Sequence, residues 1–140
     1  MILLDTSVLS RIFRRPRREP AERELHAAFE ALLSSDRPVG LPGIVLQEVL
    51  SGLKSEKQLL ELREKLLAAF SIVPATMDDH VEAARLKNGC IARGLNVSSI
   101  DCLIAASAIA GGHQLFAVDA DFEAIRRHSD LELVKASDLT

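Results

Sequence analysis

The chain has no tryptophan and no tyrosine, and only five phenylalanines among its 140 residues. With so few rings to receive unstacked bases, a stacking platform of the single-strand-binding type is disfavoured. Cysteine is scarce too. Cys90 and Cys102 lie in apolar, helical-looking surroundings without metal-ligand spacing, so two buried free thiols in a reducing compartment are expected. No apolar run approaches the ~18 residues that span a bilayer. The opening Met1-Ile2-Leu3-Leu4 has neither a basic n-region nor a cleavage site, so the expectation is a cytoplasmic protein without a membrane segment. A net charge of −3 does not mark a nucleic-acid binder. Locally the picture differs, because Arg11, Arg14, Arg15, Arg17 and Arg18 crowd one short stretch. Such a cluster governs phosphate attraction more than the chain total does. The four histidines, His26, His80, His113 and His128, are scattered among polar or loop neighbours and read as surface residues.

Apolar residues make up 48% of the chain and charged ones 26%, which fits a single globular domain over residues 1–140. Short apolar runs at Ile2–Leu4, Val39–Leu41, Ser71–Val73, Leu115–Val118 and Leu133–Val134 read as strands. Between them, helical spacing predicts helices over Thr6–Phe13, Ala21–Ser34, Gly43–Leu53, from Ser55-Glu56 to Phe70, Met77–Arg93, Ile100–Ala110 and Asp121–Arg127. Pro42 suits a helix entry, Ser98 or Ser99 and Asp121 suit N-caps, and Gly94 and Gly111-Gly112 suit helix stops. Leu25, Ala28, Phe29, Leu32 and Leu33 form the expected stripe of the second helix, and the segment Ile100–Ala110 is apolar nearly all round, hence central. Strands alternating with helices indicate an α/β fold with a parallel sheet of four to five strands covered on both faces.

Against that scaffold, four acidic residues interrupt apolar runs: Asp5 after Ile2-Leu3-Leu4, Glu48 within Ile44–Leu50, Asp101 within Ile100–Ile104, and Asp119 after Leu115–Val118. None has a Lys or Arg beside it in its run. A buried carboxylate costs free energy unless it is paired or ligates a cation. Two of them ~5 Å apart repel by roughly 3 kcal/mol at an effective dielectric near 20. In open α/β sheets, ligands gather beyond the carboxyl ends of the strands at a topological switch point, where Asp5 and Asp119 would meet if their strands are neighbours. Oxygen ligands without His or Cys favour Mg²⁺ or Mn²⁺ over zinc. Those ions polarise phosphoryl oxygens and lower the pKa of water, the chemistry of phosphodiester hydrolysis. Each acid has a structural alternative: Asp5 as a helix cap, Asp101 at capping-box spacing from Ser98, Asp119 or Asp121 as an N-cap, and Glu48 as a surface glutamate.

These residues resemble the motifs of the PIN-domain nucleases, and more closely those of the VapC-type toxins of toxin–antitoxin pairs. Leu4-Asp5-Thr6-Ser7-Val8-Leu9 is similar to the opening motif, whose Asp is a metal ligand followed by a steadying hydroxyl. Glu48 with Gly52 four positions on, Ser99-Ile100-Asp101-Cys102-Leu103-Ile104-Ala105-Ala106, and Val118-Asp119-Ala120-Asp121-Phe122 are similar to the second, third and fourth motifs. Where the family often has a Thr two residues before the fourth-motif aspartate, this chain has Ala117. The resemblance implies a three-layer α/β/α sandwich, a homodimer, and inhibition by a cognate antitoxin that inserts a peptide near the site. It also implies an endoribonuclease dependent on Mg²⁺ or Mn²⁺, cleaving RNA through a metal-activated water and leaving 5′-phosphate and 3′-hydroxyl ends. Asp5, Glu48, Asp101 and Asp119 are then the catalytic and metal-ligating residues. Asp121 assists through water, Thr6 and Ser7 orient Asp5, and Arg11, Arg14 and Arg15 are candidate contacts to RNA or antitoxin. The alternatives are a non-catalytic RNA- or protein-binding module on the same fold, a housekeeping RNA-processing nuclease, or a DNA structure-specific nuclease.

Overall fold

A computed structural model describes residues 1–14 and 19–140, the side chain of Arg14 excepted. Five short strands, β1 (Ile2–Leu4), β2 (Val39–Pro42), β3 (Ser71–Val73), β4 (Gln114–Phe116) and β5 (Glu132–Val134), form one parallel sheet in the order β3-β2-β1-β4-β5. The register sets Ile2 beside Val39 and Gln114, and Leu4 beside Phe116. The strand order reverses between β1 and β4, so the crevice expected of a doubly wound sheet opens at their carboxyl ends.

Helices α1 (Thr6–Arg14), α2 (Pro20–Ser34), α3 (Gly43–Leu50) and α4 (Glu56–Ala69) connect β1 to β2 and β2 to β3. Helices α5 (Met77–Ala92), α6 (Ser99–Gly111) and α7 (Ala120–Arg127) serve the return to β4 and the step to β5. Right-handed crossovers that first run one way along the sheet and then reverse place these two sets on opposite faces. The packing agrees: α1 meets α2 and α3, and α3 meets α4, while α6 meets α5 and α7. A three-layer α/β/α sandwich results. A 3₁₀ turn over Ala136–Asp138, not anticipated, follows β5 and packs on α2.

Leu3, Leu4, Leu41, Leu115 and Phe116 form the buried centre, with Val8 and Leu9 above one face and Ile104, Ala105 and Ala108 above the other. The small residues of α6 let α5 approach closely, and Asp79 of α5 is sealed between them. Its Oδ2 accepts from the Ser107 hydroxyl and from the Thr76 amide, each at 3.1 Å, and Thr76 caps α5 in return. Cys90 and Cys102 are buried free thiols as expected, and burial pushes Cys102 up to about 11.

Several details differ from expectation. The stripe of α2 is rotated, so that Glu22 and His26 are buried while Leu33 faces outward. His26 is therefore not a surface residue. On α4 only Leu66 is fully covered, and Leu60 and Leu67 stay exposed. Helix α3 ends at Leu50, and Gly52 adopts φ +86 with nothing near the place of its missing Cβ. Its glycine answers to backbone conformation rather than to a close approach.

Candidate metal centre at the β1–β4 switch point

Asp5 leaves the end of β1 and is buried, 4% exposed. Its backbone continues the ladder, the Asp5 amide donating to the Phe116 carbonyl at 3.0 Å. Its carboxylate caps α1 by accepting from the Ser7 amide at 3.0 Å. Desolvation raises its pKa, the Ser7 hydroxyl and the Ser7 and Thr6 amides oppose that rise, and the charge of Asp119 adds to it. Strand β4 stops at Phe116, two residues earlier than the apolar run suggests, because Ala117 and Val118 turn away from the sheet. There the Val118 amide donates to the Ser7 hydroxyl at 3.1 Å. Ser7 thereby ties the segment leading to Asp119 onto the Asp5 loop.

Asp119, rather than Asp121, is the N-cap of α7: its Oδ1 accepts from the Asp121 amide at 3.0 Å. Asp101 is in the first turn of α6, where its amide donates to the Ser98 cap at 3.0 Å and its carboxylate also interacts with the Ser98 hydroxyl. Asp101, Asp119 and Asp121 each offer an oxygen such that all three lie within 4.8 Å of one another. Asp121 is thus as close to the centre as the two aspartates expected there. Burial pushes Asp101 up to about 6, with Asp5, then Asp119 and Asp121 adding repulsion and the Ser98 contact opposing it. Among the described residues, no Lys or Arg forms an ion pair with any of these acids.

Glu48 and Asp5 are outside that tight trio. Glu48, half-buried on α3, accepts on Oε1 from the Thr6 hydroxyl at 2.8 Å. Thr6 therefore orients Glu48, whereas Ser7 orients Asp5; the sequence had assigned both hydroxyls to Asp5. The basic segment contributes less than its composition suggests. Arg11 is 3.7 Å from Glu22, and the expectations for Arg14 and Arg15 fall outside the described side chains.

An α/β protein whose switch point gathers carboxylates, with no cation paired to them among the described residues, has the donor set for a hard divalent ion. The chain belongs to the PIN domain family, whose model matches residues 2–128. Among solved structures it is similar to FitAcB from Neisseria gonorrhoeae, with 24% identity over 98% of this chain and 99% of that one and a TM-score of 0.75. It is also similar to VapBC2 from Rickettsia felis bound to a promoter DNA fragment, with 23% identity, 96% and 98% coverage and a TM-score of 0.73. A third, VapC20 from Mycobacterium tuberculosis, described as a sarcin-ricin loop cleaving toxin, has 19% identity, 89% and 94% coverage and a TM-score of 0.66.

Proposed function

We propose that the chain is a divalent-metal-dependent endoribonuclease, acting as the toxin of a toxin–antitoxin pair. The observation that carries this reading is the meeting of Asp101, Asp119 and Asp121 beside buried Asp5, with Glu48 held to the same loop through Thr6. The names of the similar structures support the toxin reading, and the loop-cleaving description of one supports RNA as the substrate. Asp5, Glu48, Asp101 and Asp119 would hold one or two Mg²⁺ or Mn²⁺ ions, with Asp121 close enough to share that work. A bound ion supplies charge neutralisation at a phosphoryl oxygen and a more acidic water. The chain's own contribution is orientation. One carboxylate oxygen of Glu48 and one of Asp119 are fixed by hydrogen bonds, which leaves the other free to take a ligand. A cognate antitoxin and a homodimer complete the proposal.

The test is cleavage of RNA by the purified chain in Mg²⁺ or Mn²⁺, with products scored for 5′-phosphate ends. Asp5→Asn should abolish cleavage while leaving a folded protein, and EDTA should do the same to the wild type. Full activity of Asp5→Asn, or undiminished cleavage in EDTA, refutes the reading.

A further inference from the structure

The carboxyl edge of the sheet holds a second hollow. A groove of about 330 Å³ lies between the ends of β4 and β5, bounded by the first turn of α7 and the start of the 3₁₀ turn. That volume is in the range of small-ligand sites. Ala117, Val118, Ala120, Leu133 and Val134 give it largely apolar walls. Asp119 lines it too, and the same residue offers an oxygen within 4.8 Å of oxygens of Asp101 and Asp121. The groove and the acidic centre therefore share a wall. A ligand held at the centre by one end has this hollow directly beside it.

The groove carries a cation as well. Lys135 lines it just past β5 and is exposed. No carboxylate comes within ion-pair distance of it among the described residues. Glu123, on the α7 side of the groove, is already engaged by Arg126, whose Nε donates to it at 3.1 Å. That hydrogen bond, then the charges of Arg126, Arg127 and Lys135, hold the Glu123 carboxyl below its usual range. An apolar cleft thus has a free ammonium on one side and a phosphodiester-binding centre on the other. A nucleotide matches that pairing, with a flat base between two phosphates. An apolar peptide side chain would use the walls and leave Lys135 without a role.

We propose that this groove seats the base of the RNA nucleotide adjoining the cleaved bond, with Lys135 contacting the next phosphate along the strand. The placement rests on the ribonuclease reading above and deepens it. Aliphatic walls cover a base without the rings that this sequence lacks, and they offer base edges few hydrogen-bond partners. A lysine meets phosphate as a point charge, without the geometric selectivity of an arginine fork. The subsite should therefore add affinity for unpaired RNA with little base preference.

The test is steady-state cleavage, at fixed Mg²⁺, of a short single-stranded RNA whose cleaved bond has been mapped. The same RNA is also made with an abasic nucleotide on one or the other side of that bond. Ala120 is exposed, so Ala120→Phe fills the groove from its open side. It should raise KM about ten-fold with kcat within about two-fold, the cost of losing ~50 Å² of apolar contact. One of the two abasic RNAs should show a similar rise with the wild type and no further rise with Ala120→Phe. Lys135→Ala should make the fall of log(kcat/KM) with log salt shallower by about 0.7, the value for one phosphate on a single strand. Lys135→Arg should restore the slope. An unchanged KM in Ala120→Phe, an abasic penalty that persists in full in that variant, or an unchanged slope in Lys135→Ala overturns the proposal and leaves the nuclease reading intact. A loss confined to kcat also overturns it, since the substitution would then disturb Asp119 rather than the flanking nucleotide. If the wild type cleaves no RNA in Mg²⁺ or Mn²⁺, the nuclease reading falls and this placement falls with it. A changed oligomeric state of Ala120→Phe on size exclusion, with KM unaltered, would give the groove to a second copy and sink the proposal.

Discussion

Replacing Asp101 by Asn should make the metal-free protein more stable at neutral pH, although it removes a proposed ligand. Asn keeps the shape, and the cap of α6 remains because the backbone amide of residue 101 still donates to the Ser98 hydroxyl. What disappears is a charge that folding penalises. The rise of Asp101 from 3.8 to about 6 would amount to about 3 kcal/mol if fully transmitted to stability. The side chain is only half withdrawn from solvent, so screening reduces the gain to on the order of 1 kcal/mol. With a melting entropy of roughly 2.1 cal/mol/K per residue, that is about 3 °C for a chain of this length. The sign with pH is fixed. A carboxyl whose pKa rises on folding keeps its proton in the native state where the unfolded chain has lost it. Wild-type stability from this group is therefore full below 3.8 and declines as pH climbs through about 6. Thermal and urea melts of both proteins in EDTA should coincide near pH 3.5 and diverge to the full difference by pH 7.5. Taking the difference removes other groups from the comparison, including His113, whose pKa burial lowers and whose effect runs the opposite way. Adding Mg²⁺ should reverse the ranking, because only the wild type keeps the full ligand set; at 100 times Kd a ligand adds about 2.7 kcal/mol. A variant less stable than wild type at pH 7.5 in EDTA would refute the claim that burial and the neighbouring acids penalise the Asp101 charge in the folded chain.

Two further substitutions separate positioning from packing. Thr6→Val removes the donor at 2.8 Å from Glu48 and should lower cleavage or metal affinity about 10- to 100-fold, as loss of an outer-shell partner does. Thr6→Ser should recover most of it, and equal rates in all three proteins would show that the contact is idle. Ser107→Ala strips a donor from buried Asp79 and should cost about 1–3 kcal/mol by urea denaturation, with cleavage at 25 °C unchanged within about two-fold. A cost under about 0.5 kcal/mol would mean that Asp79 finds another partner.

Much of the architecture was legible because local signals and the overall fold agree. Each apolar run became a strand, Ser98 caps α6 as its spacing suggested, and the parallel sheet followed from the alternation. The misreadings arose where two residues offered the same service or where the partner was remote. Asp119 and Asp121 both suit an N-cap, and only the early end of β4 at Phe116 decides for Asp119. Thr6 and Ser7 are adjacent hydroxyls, and which acid each serves depends on where α3 brings Glu48, 42 residues on. The stripe of α2 was misjudged by one residue, since Leu33 is as apolar as Leu32 yet faces outward. Thr76 with Asp79 three residues later is a capping signal present in the sequence, whereas the link of Asp79 to Ser107, 28 residues away, leaves no local trace.

The same geometry removes an opposition that the sequence posed. A cap and a ligand looked like rival explanations for Asp5 and Asp119, yet a carboxylate has two oxygens and can satisfy both. Asp5 caps α1 and Asp119 caps α7, while Asp101 occupies the third position of α6. Three helix N-termini therefore converge on one set of carboxylates. Each brings a partial positive charge, worth about 0.3–1 kcal/mol to a nearby carboxylate at an exposed end and more where burial limits screening. Those contributions oppose the burial, and the lesser mutual repulsion, that raise Asp101 and Asp5. They explain how Asp5, Asp101, Asp119 and Asp121, with no paired cation among the described residues, are held near one another. The strand ends bring the acids together and the helix starts make their proximity tolerable. The repulsion that is left over is what a divalent ion would relieve.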